Sequence, residues 1–312
     1  MILKDLPKPA LAELLATSGI SLDTGAYRTR VRTDVGDLAR ELSELYAGFP
    51  VETEDAICDF FVRISAPPGL RKVFRPQVRA YIGDDDPFEP MPRDLAMPLF
   101  ESALNWCIAT QIQRHLLLHA GVVAKDGFAV ILPAPSGSGK STLSAYLSLN
   151  GWRLLSDEFG IIEVDSGSVL GNPRPISLKN ESIGEVSKVG AEAHMSRPFE
   201  GTTKGTVAFL RPFGASLTDL SEPCVPAHVI FPSFERGAEL RLTEVERGTA
   251  FHRIIQNAVN YLTLGRAGFE AASRLVEQCG AFELRYSDYR DAVEVLTDLM
   301  PARPRCRARL QA

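Results

Sequence analysis

Apolar and polar positions alternate with period two in AYRTRVRT (residues 26–33), ICDFFVRIS (57–65) and VFRPQVRAYI (73–82), which predicts strands. Between the first two, VGDLARELSELYAGF (35–49) has the spacing of an amphipathic helix. These elements predict a small α+β domain over residues 1–90. The proline- and acid-rich GDDDPFEPMPRD (83–94) then interrupts the pattern and offers N-caps for a connecting helix, LAMPLFESALNWCIATQIQRH, so that 91–114 links two domains.

From His115 the pattern changes. HLLLHAGVVA and FAVILPA are continuous apolar runs of buried-strand type, joined at Lys125-Asp126-Gly127 as a hairpin. STLSAYLSL follows as a helix that Asn150-Gly151 can stop. WRLLSDE, GIIEV, a turn at Asp165-Ser166-Gly167, and VLGNPRPISL continue as strands. Residues 184–206, GEVSKVGAEAHMSRPFEGTTKGT, show no periodicity and are expected to form a long loop. TVAFLRP and AHVIFPSF predict strands, GTAFHRIIQNAVNYLTLG and AGFEAASRLVEQCG helices, and AFELRYS with DYRDAVEVLTDLM a closing strand and helix. The second domain is therefore expected over 115–300, with a basic tail, PARPRCRARLQA, at 301–312.

Composition adds limits. Of 312 residues 45% are hydrophobic and 23% charged, as in globular proteins, and the net charge of −5 leaves no basic footprint for nucleic acid. No apolar stretch is long enough to span a bilayer and no signal-peptide core is present, so a cytoplasmic protein without membrane contact is expected. Cys58, Cys107, Cys224, Cys279 and Cys306 are scattered singly, which suggests neither disulfides nor a zinc site.

The chemistry is concentrated in LPAPSGSGKSTL. Ala134, Pro135, Ser136, Gly137, Ser138, Gly139, Lys140 and Ser141 fit the phosphate-loop pattern GxxxxGK[ST], with alanine in place of the first glycine, and Thr142 follows. Backbone N–H groups freed by the glycines can curl around an anion at a helix N-terminus. Lys140 would then reach the terminal phosphates and Ser141 a magnesium ion. Alanine at 134 loses little if that position has negative φ. Asp157 and Glu158 return seventeen positions after Lys140, room for one helix and one strand; one carboxylate can hold magnesium while another takes a proton from a hydroxyl. His119 sits in an apolar run where a core histidine is the ordinary reading.

A histidine on one strand, a phosphate loop after a hairpin and an acidic pair one helix later resemble the HPr kinase/phosphorylase family, most closely the subgroup called HprK-related kinase A. LLLHAGVV, GWRLLSDE, PRPISLKN, TTKGTVAFLRP and NAVNYLTLGRAGFEA carry the resemblance besides the loop, over roughly residues 115–300. It implies an α/β P-loop kinase domain of the HPr kinase/phosphoenolpyruvate carboxykinase type that uses ATP and Mg2+ to phosphorylate a serine hydroxyl of a peptide or protein. By position, Asp157 would be the base, His119 would lie near the transferring phosphate, and Glu158 would be on the metal side. Lys179 falls where the family has an arginine, and Ser177 replaces a metal-binding glutamate, which puts phosphorylase activity in doubt. Lys204 and Arg211 are further candidates to clamp phosphate. Asn257 and Asn260 read as packing or capping groups; His194, His228 and His252 have no partner pattern. HPr kinases assemble as hexamers, whereas the sequence leaves a homo-oligomer open. Two other readings keep the same site: a nucleotide-dependent peptide-binding or sensor protein, and a kinase of a small serine-like molecule. An open groove would favour a peptide, a closed pocket a metabolite.

Overall fold

The computed structural model describes residues 1–54, 56–67, 76–135 and 137–301, with only the backbone of 192 and 193. Ser136 and the basic tail from 302 onward lie outside the described residues. The architecture is mixed α/β with several sheets.

The N-terminal unit runs α1 (Lys8–Ala16), β1 (Ile20–Asp23), β2 (Arg28–Thr33), α2 (Gly36–Leu45), β3 (Val51–Glu52), β4 (Phe60–Ser65), β5 (Gln77–Ile82), β6 (Met91–Pro92) and α3 (Ala96–Gln111). Its sheet has the order β3-β1-β2-β4-β5-β6, antiparallel except for β2 beside β4. Strand alternation follows the sequence: Val31, Val62, Ile64, Val78 and Ala80 point into the core. The pattern had missed α1, β1 and the short strands β3 and β6. The N-cap of α3 is Leu95, whose side chain makes no capping bond, so the acidic cluster does not cap this helix. Nor is α3 a bare connector. Met97, Leu99, Phe100, Ala103, Leu104, Cys107 and Ile108 are all buried, and their cluster extends to Leu117, Phe159, Ile161, Val207 and Phe209 of the following unit. One apolar core thus joins the two units, which fixes α3 against the region described below.

The second unit comprises β7 (His115–Lys125), β8 (Phe128–Pro133), α4 (Lys140–Leu149), β9 (Arg153–Ser156), β10 (Phe159–Glu163), β11 (Val169–Leu170), β12 (Ile176–Lys179), α5 (Glu181–Ser187), β13 (Phe199–Thr202), β14 (Gly205–Leu210), α6 (Ala215–Thr218), β15 (Val225–Phe234), β16 (Arg241–Glu244), α7 (Arg247–Gln256), α8 (Tyr261–Leu264), α9 (Arg266–Gln278), β17 (Gly280–Tyr286) and α10 (Tyr289–Leu299). The main sheet has the order β11-β10-β7-β8-β15-β17-β16, with β8, β15 and β17 parallel, and a smaller sheet has the order β12-β14-β13.

The expected β7–β8 hairpin closes on Asp126 and Gly127, both with positive φ (53° and 85°), the twist that two-residue hairpin turns require. The strand–loop–helix–strand order around the glycine loop is present as β8, α4 and β9. Gly151, at φ 84°, ends α4 as the sequence suggests. Residues 184–206 differ from expectation: they form most of α5, a 3-10 turn at Ala191–His194 and the β13–β14 hairpin. Elements this short leave little periodicity to read. Helix α7 also stops early, at Gln256, because residues 257–260 run alongside β7: His119 N–H donates to the Asn257 carbonyl at 2.7 Å and Val259 N–H to the Leu117 carbonyl at 2.8 Å.

Candidate functional site at the glycine loop

Strand β7 organises the site because three partners divide its length. β8 pairs with Ala120–Lys125, β9 with Val122–Ala124, and β10 with His115–His119. Since β9 and β10 are two residues apart, Asp157 and Glu158 form the step between them, where Ala120 N–H donates to the Glu158 carbonyl at 3.2 Å. The acidic pair is held on this step, beside β7 and facing α4.

Helix α4 approaches β7 closely because residue 121 is glycine; a Cβ there would lie 2.6 Å from Ser144 Oγ and 3.2 Å from Lys140 Cγ. The turn into α4 uses positive φ at Gly137 (90°) and Gly139 (87°), where glycine avoids a left-handed penalty. Among the described residues the positive-φ non-glycines are Asp126 and Asn180, so alanine at 134 meets no such demand.

Lys140 is only 6% exposed, and its Nζ lies 3.0 Å from His119 Nε2. Burial pushes the lysine pKa down, and the charges of Asp157 and Glu158 work against that shift. Burial, then the Lys140 charge, also lowers His119. A neutral imidazole accepts from the ammonium on Nε2 and carries its proton on Nδ1, 3.8 Å from Glu158 Oε1. Lys140 is thus hydrogen-bonded to His119, and the Glu158 carboxylate stands near the other side of the ring. Asp157 is 6% exposed as well, and burial raises its carboxyl to about 6, against the pull of Lys140. Asp157 Oδ2 accepts from Ser177 N–H at 3.3 Å, while Oδ1 is buried with no partner among the described residues.

Two cavities meet at this wall. The larger, about 1040 Å³, is lined by His119, Pro135, Gly137, Gly139, Lys140, Ser141, Thr142, Glu158, Lys179 and Lys204, and on its far side by Tyr146, Phe234, Arg236 and Tyr289. The smaller, about 90 Å³, lies between α3 and the β13–β14 hairpin and is lined by Asp157, Asn172, Arg174, Glu101 and Asn105. Glu158, Ser177 and Lys204 border both.

The structure thus brings together all the sequence candidates except four. Ser136 is outside the described residues, Ala134 is buried behind the loop, and the Ser138 hydroxyl is buried without a partner. Arg211 lies elsewhere: its Nε donates to His194 Nδ1 at 3.2 Å, and His194 stacks on Phe213. Asn260 is a packing group; its amide donates to the Ile112 and His115 carbonyls and its oxygen accepts from Leu117 N–H. Sequence reasoning missed the aromatic wall, in which Tyr289 stacks on Tyr146 and on Phe234 with centroids at 4.8 and 5.0 Å. It also missed Arg174 and Glu101, whose link spans 73 positions and leaves no local signal.

Ser141 and Glu158 both line the larger cavity and Asp157 directly precedes Glu158, so these are the oxygens beside the loop that could hold a metal. Among the described residues no group of three or more histidine, cysteine, aspartate or glutamate side chains could hold a metal ion alone. Magnesium fits such a partial set, because it binds through one or two carboxylates together with substrate phosphates and water. Among the described residues no helix is long and apolar enough to cross a membrane. Comparison with protein-family models and with curated proteins gave no match.

Proposed function

We propose that this chain is an ATP- and magnesium-dependent kinase of the HPr kinase type, with a P-loop, that transfers the γ-phosphate to a hydroxyl, serine or threonine of a peptide or protein being the acceptor class. The observation that carries this reading is the shared wall. Lys140 and Glu158 open onto a cleft large enough for a nucleotide, and Asp157 opens onto a separate pocket behind them.

In this reading the triphosphate lies along the loop, its oxygens met by the backbone N–H groups at the start of α4 and by Lys140. Ser141 and Glu158, with Asp157 beside them, would hold magnesium, which neutralises charge on the phosphates when bound. His119 accepts from the Lys140 ammonium and holds it in place. Asp157 takes the proton of the acceptor hydroxyl; a carboxyl raised to about 6 is matched to such work near neutral pH. Lys179 and Lys204, which line the cleft, supply positive charge near the transferring group, and Lys204 sits on a hairpin tip beside both cavities.

The test is transfer from γ-labelled ATP to a serine- and threonine-containing peptide library, read by mass spectrometry. The wild type should label hydroxyls, and Asp157→Asn should lower transfer by about 10²–10⁴-fold while still binding ATP. Equal labelling by Asp157→Asn would remove Asp157 as the base. ATP binding without labelling of any acceptor would favour the non-catalytic sensor.

A further inference from the structure

The sheet of the N-terminal unit has one covered face and one open face. Helices α1, α2 and α3 bury their apolar residues in the same cluster as Val31, Val62, Ile64, Val78 and Ala80, so all three lie on the inward side. Alternate positions of β2, β4 and β5 point the other way: Arg28, Arg30 and Arg32, then Phe61 and Arg63, then Arg79 and Tyr81. Phe61 is 56% exposed on this face, a large apolar ring left open to water.

Most charges of the face are matched within the chain. Arg28 pairs with Asp23 and Glu52, and Arg79 with Asp86. Arg30 is tied to the Ser18 and Glu54 carbonyls and to Ser21 Oγ. The centre differs. Arg32 and Arg63 stand directly opposite each other on neighbouring strands, both exposed and neither in an ion pair among the described residues. Like charges so placed repel. Arg63 instead lies over the Tyr81 ring, 4.1 Å from its centroid, which holds the guanidinium flat against the sheet.

The opposite charge lies on the other side of Phe61. Strand β5 runs from Tyr81, opposite Arg63, to Gly83, whose N–H donates to the Phe61 carbonyl at 2.9 Å, and then turns back between Ile82 and Asp85. Asp84 and Asp85 on that turn are exposed and likewise in no ion pair among the described residues. An unmatched pair of cations and an unmatched pair of anions thus flank one exposed aromatic ring. A polyanion drawn to the arginines would be repelled by the turn, whereas a surface with opposite charges on either side of an apolar centre is complementary to itself after a two-fold rotation.

We propose that this open face is an interface for a second copy of this chain. Phe61 packs at the two-fold axis against Phe61 of the partner subunit, and Arg32 and Arg63 of each copy face Asp84 and Asp85 of the partner subunit. Tyr81 lowers the cost of association because it orders Arg63 beforehand. Helix α3, which lines the smaller cavity, is on the inward side of the sheet, so pairing does not use the glycine-loop site.

The experiment is sedimentation velocity on wild type, on Arg32→Glu/Arg63→Glu, on Asp84→Arg/Asp85→Arg and on the two variants mixed. Wild type should dimerise below about 100 µM chain, well above the micromolar limit of ordinary interfaces, and weaken as salt screens the charges. Each double variant alone should associate at least ten-fold more weakly, because like charges then face each other. Their equal mixture should form a heterodimer of wild-type affinity, since both reversed pairs again meet opposite charge; that recovery also shows that each variant is folded. Phe61→Ala should weaken the dimer at least ten-fold without lowering the melting temperature. A wild type monomeric at 100 µM, a dimer that either reversal leaves intact, or a mixture that stays monomeric would overturn the proposal. Monomeric wild type that binds poly-glutamate or a single-stranded oligonucleotide through Arg32 and Arg63 would also overturn it and give the face to a foreign anion.

Discussion

Asp157→Asn should make the protein more stable at neutral pH while removing its chemistry. The carboxyl is buried and raised from its ordinary 3.8 to about 6, burial being the largest cause and Lys140 the main opposing one. A carboxyl raised in the folded state binds its proton more tightly there than in the unfolded chain. Between pH 3.8 and about 6 the folded state therefore holds a proton that the unfolded state has lost, and stability falls as pH rises through this window. At 1.36 kcal/mol per pH unit the full loss is about 3 kcal/mol, present above pH 6 and absent below 3.8. Asparagine keeps the shape without the charge. Urea denaturation of wild type and variant, without nucleotide and with EDTA, should give equal stabilities near pH 4 and a variant more stable by up to about 3 kcal/mol at pH 8, with a melting temperature several degrees higher. A variant as stable as wild type, or less so, at pH 8 would refute the claim that Asp157 is held at a folding cost.

Other consequences follow from the same geometry. Phosphotransfer at saturating ATP should rise with pH through about 6 as Asp157 loses its proton, and a pH–rate profile flat from 5 to 8 would argue against it as base. Gly139→Ala would force φ 87° on alanine and bring its Cβ to 3.0 Å from Phe234 Cβ; a loss of about 1–2 kcal/mol or more in thermal stability, with weakened ATP binding, is expected in calorimetry. Glu101→Gln should cost about 3–5 kcal/mol in urea denaturation because it leaves the Arg174 charge buried without its counter-ion, whereas Glu181→Gln, which breaks the exposed pair with Arg236, should cost no more than about 1 kcal/mol.

Much of the frame was legible because it is local. Periodicity located β7, β8, α4, β15, α9, β17 and α10, and turn chemistry located the hairpin at Asp126-Gly127 and the helix stop at Gly151. Lys140 and the acidic pair were also readable, since one helix and one strand separate them. The rest depends on contacts distant in sequence. His119 looks like a core residue from its leucine and alanine neighbours, and only the packing of α4 on β7 brings it 3.0 Å from Lys140. Arg174 lies in VLGNPRPISL, which reads as one strand but is paired only at its two ends, as β11 and β12, and its meaning comes from Glu101 on α3, 73 positions earlier. Residues 184–206 read as a loop because α5 and the β13–β14 hairpin are short and are stabilised by β12 and α4 rather than by their own pattern; Thr142 Oγ1, for example, donates to Ser182 Oγ at 3.0 Å.

The most direct measurement of the central claim is a calorimetric titration of ATP with magnesium into wild type and Lys140→Ala. One ATP per chain should bind to the wild type, and the variant should bind at least ten-fold more weakly, since Lys140 is the buried cation on the cleft side of the wall. No binding to wild type, or equal binding to both proteins, would contradict a nucleotide site at the glycine loop.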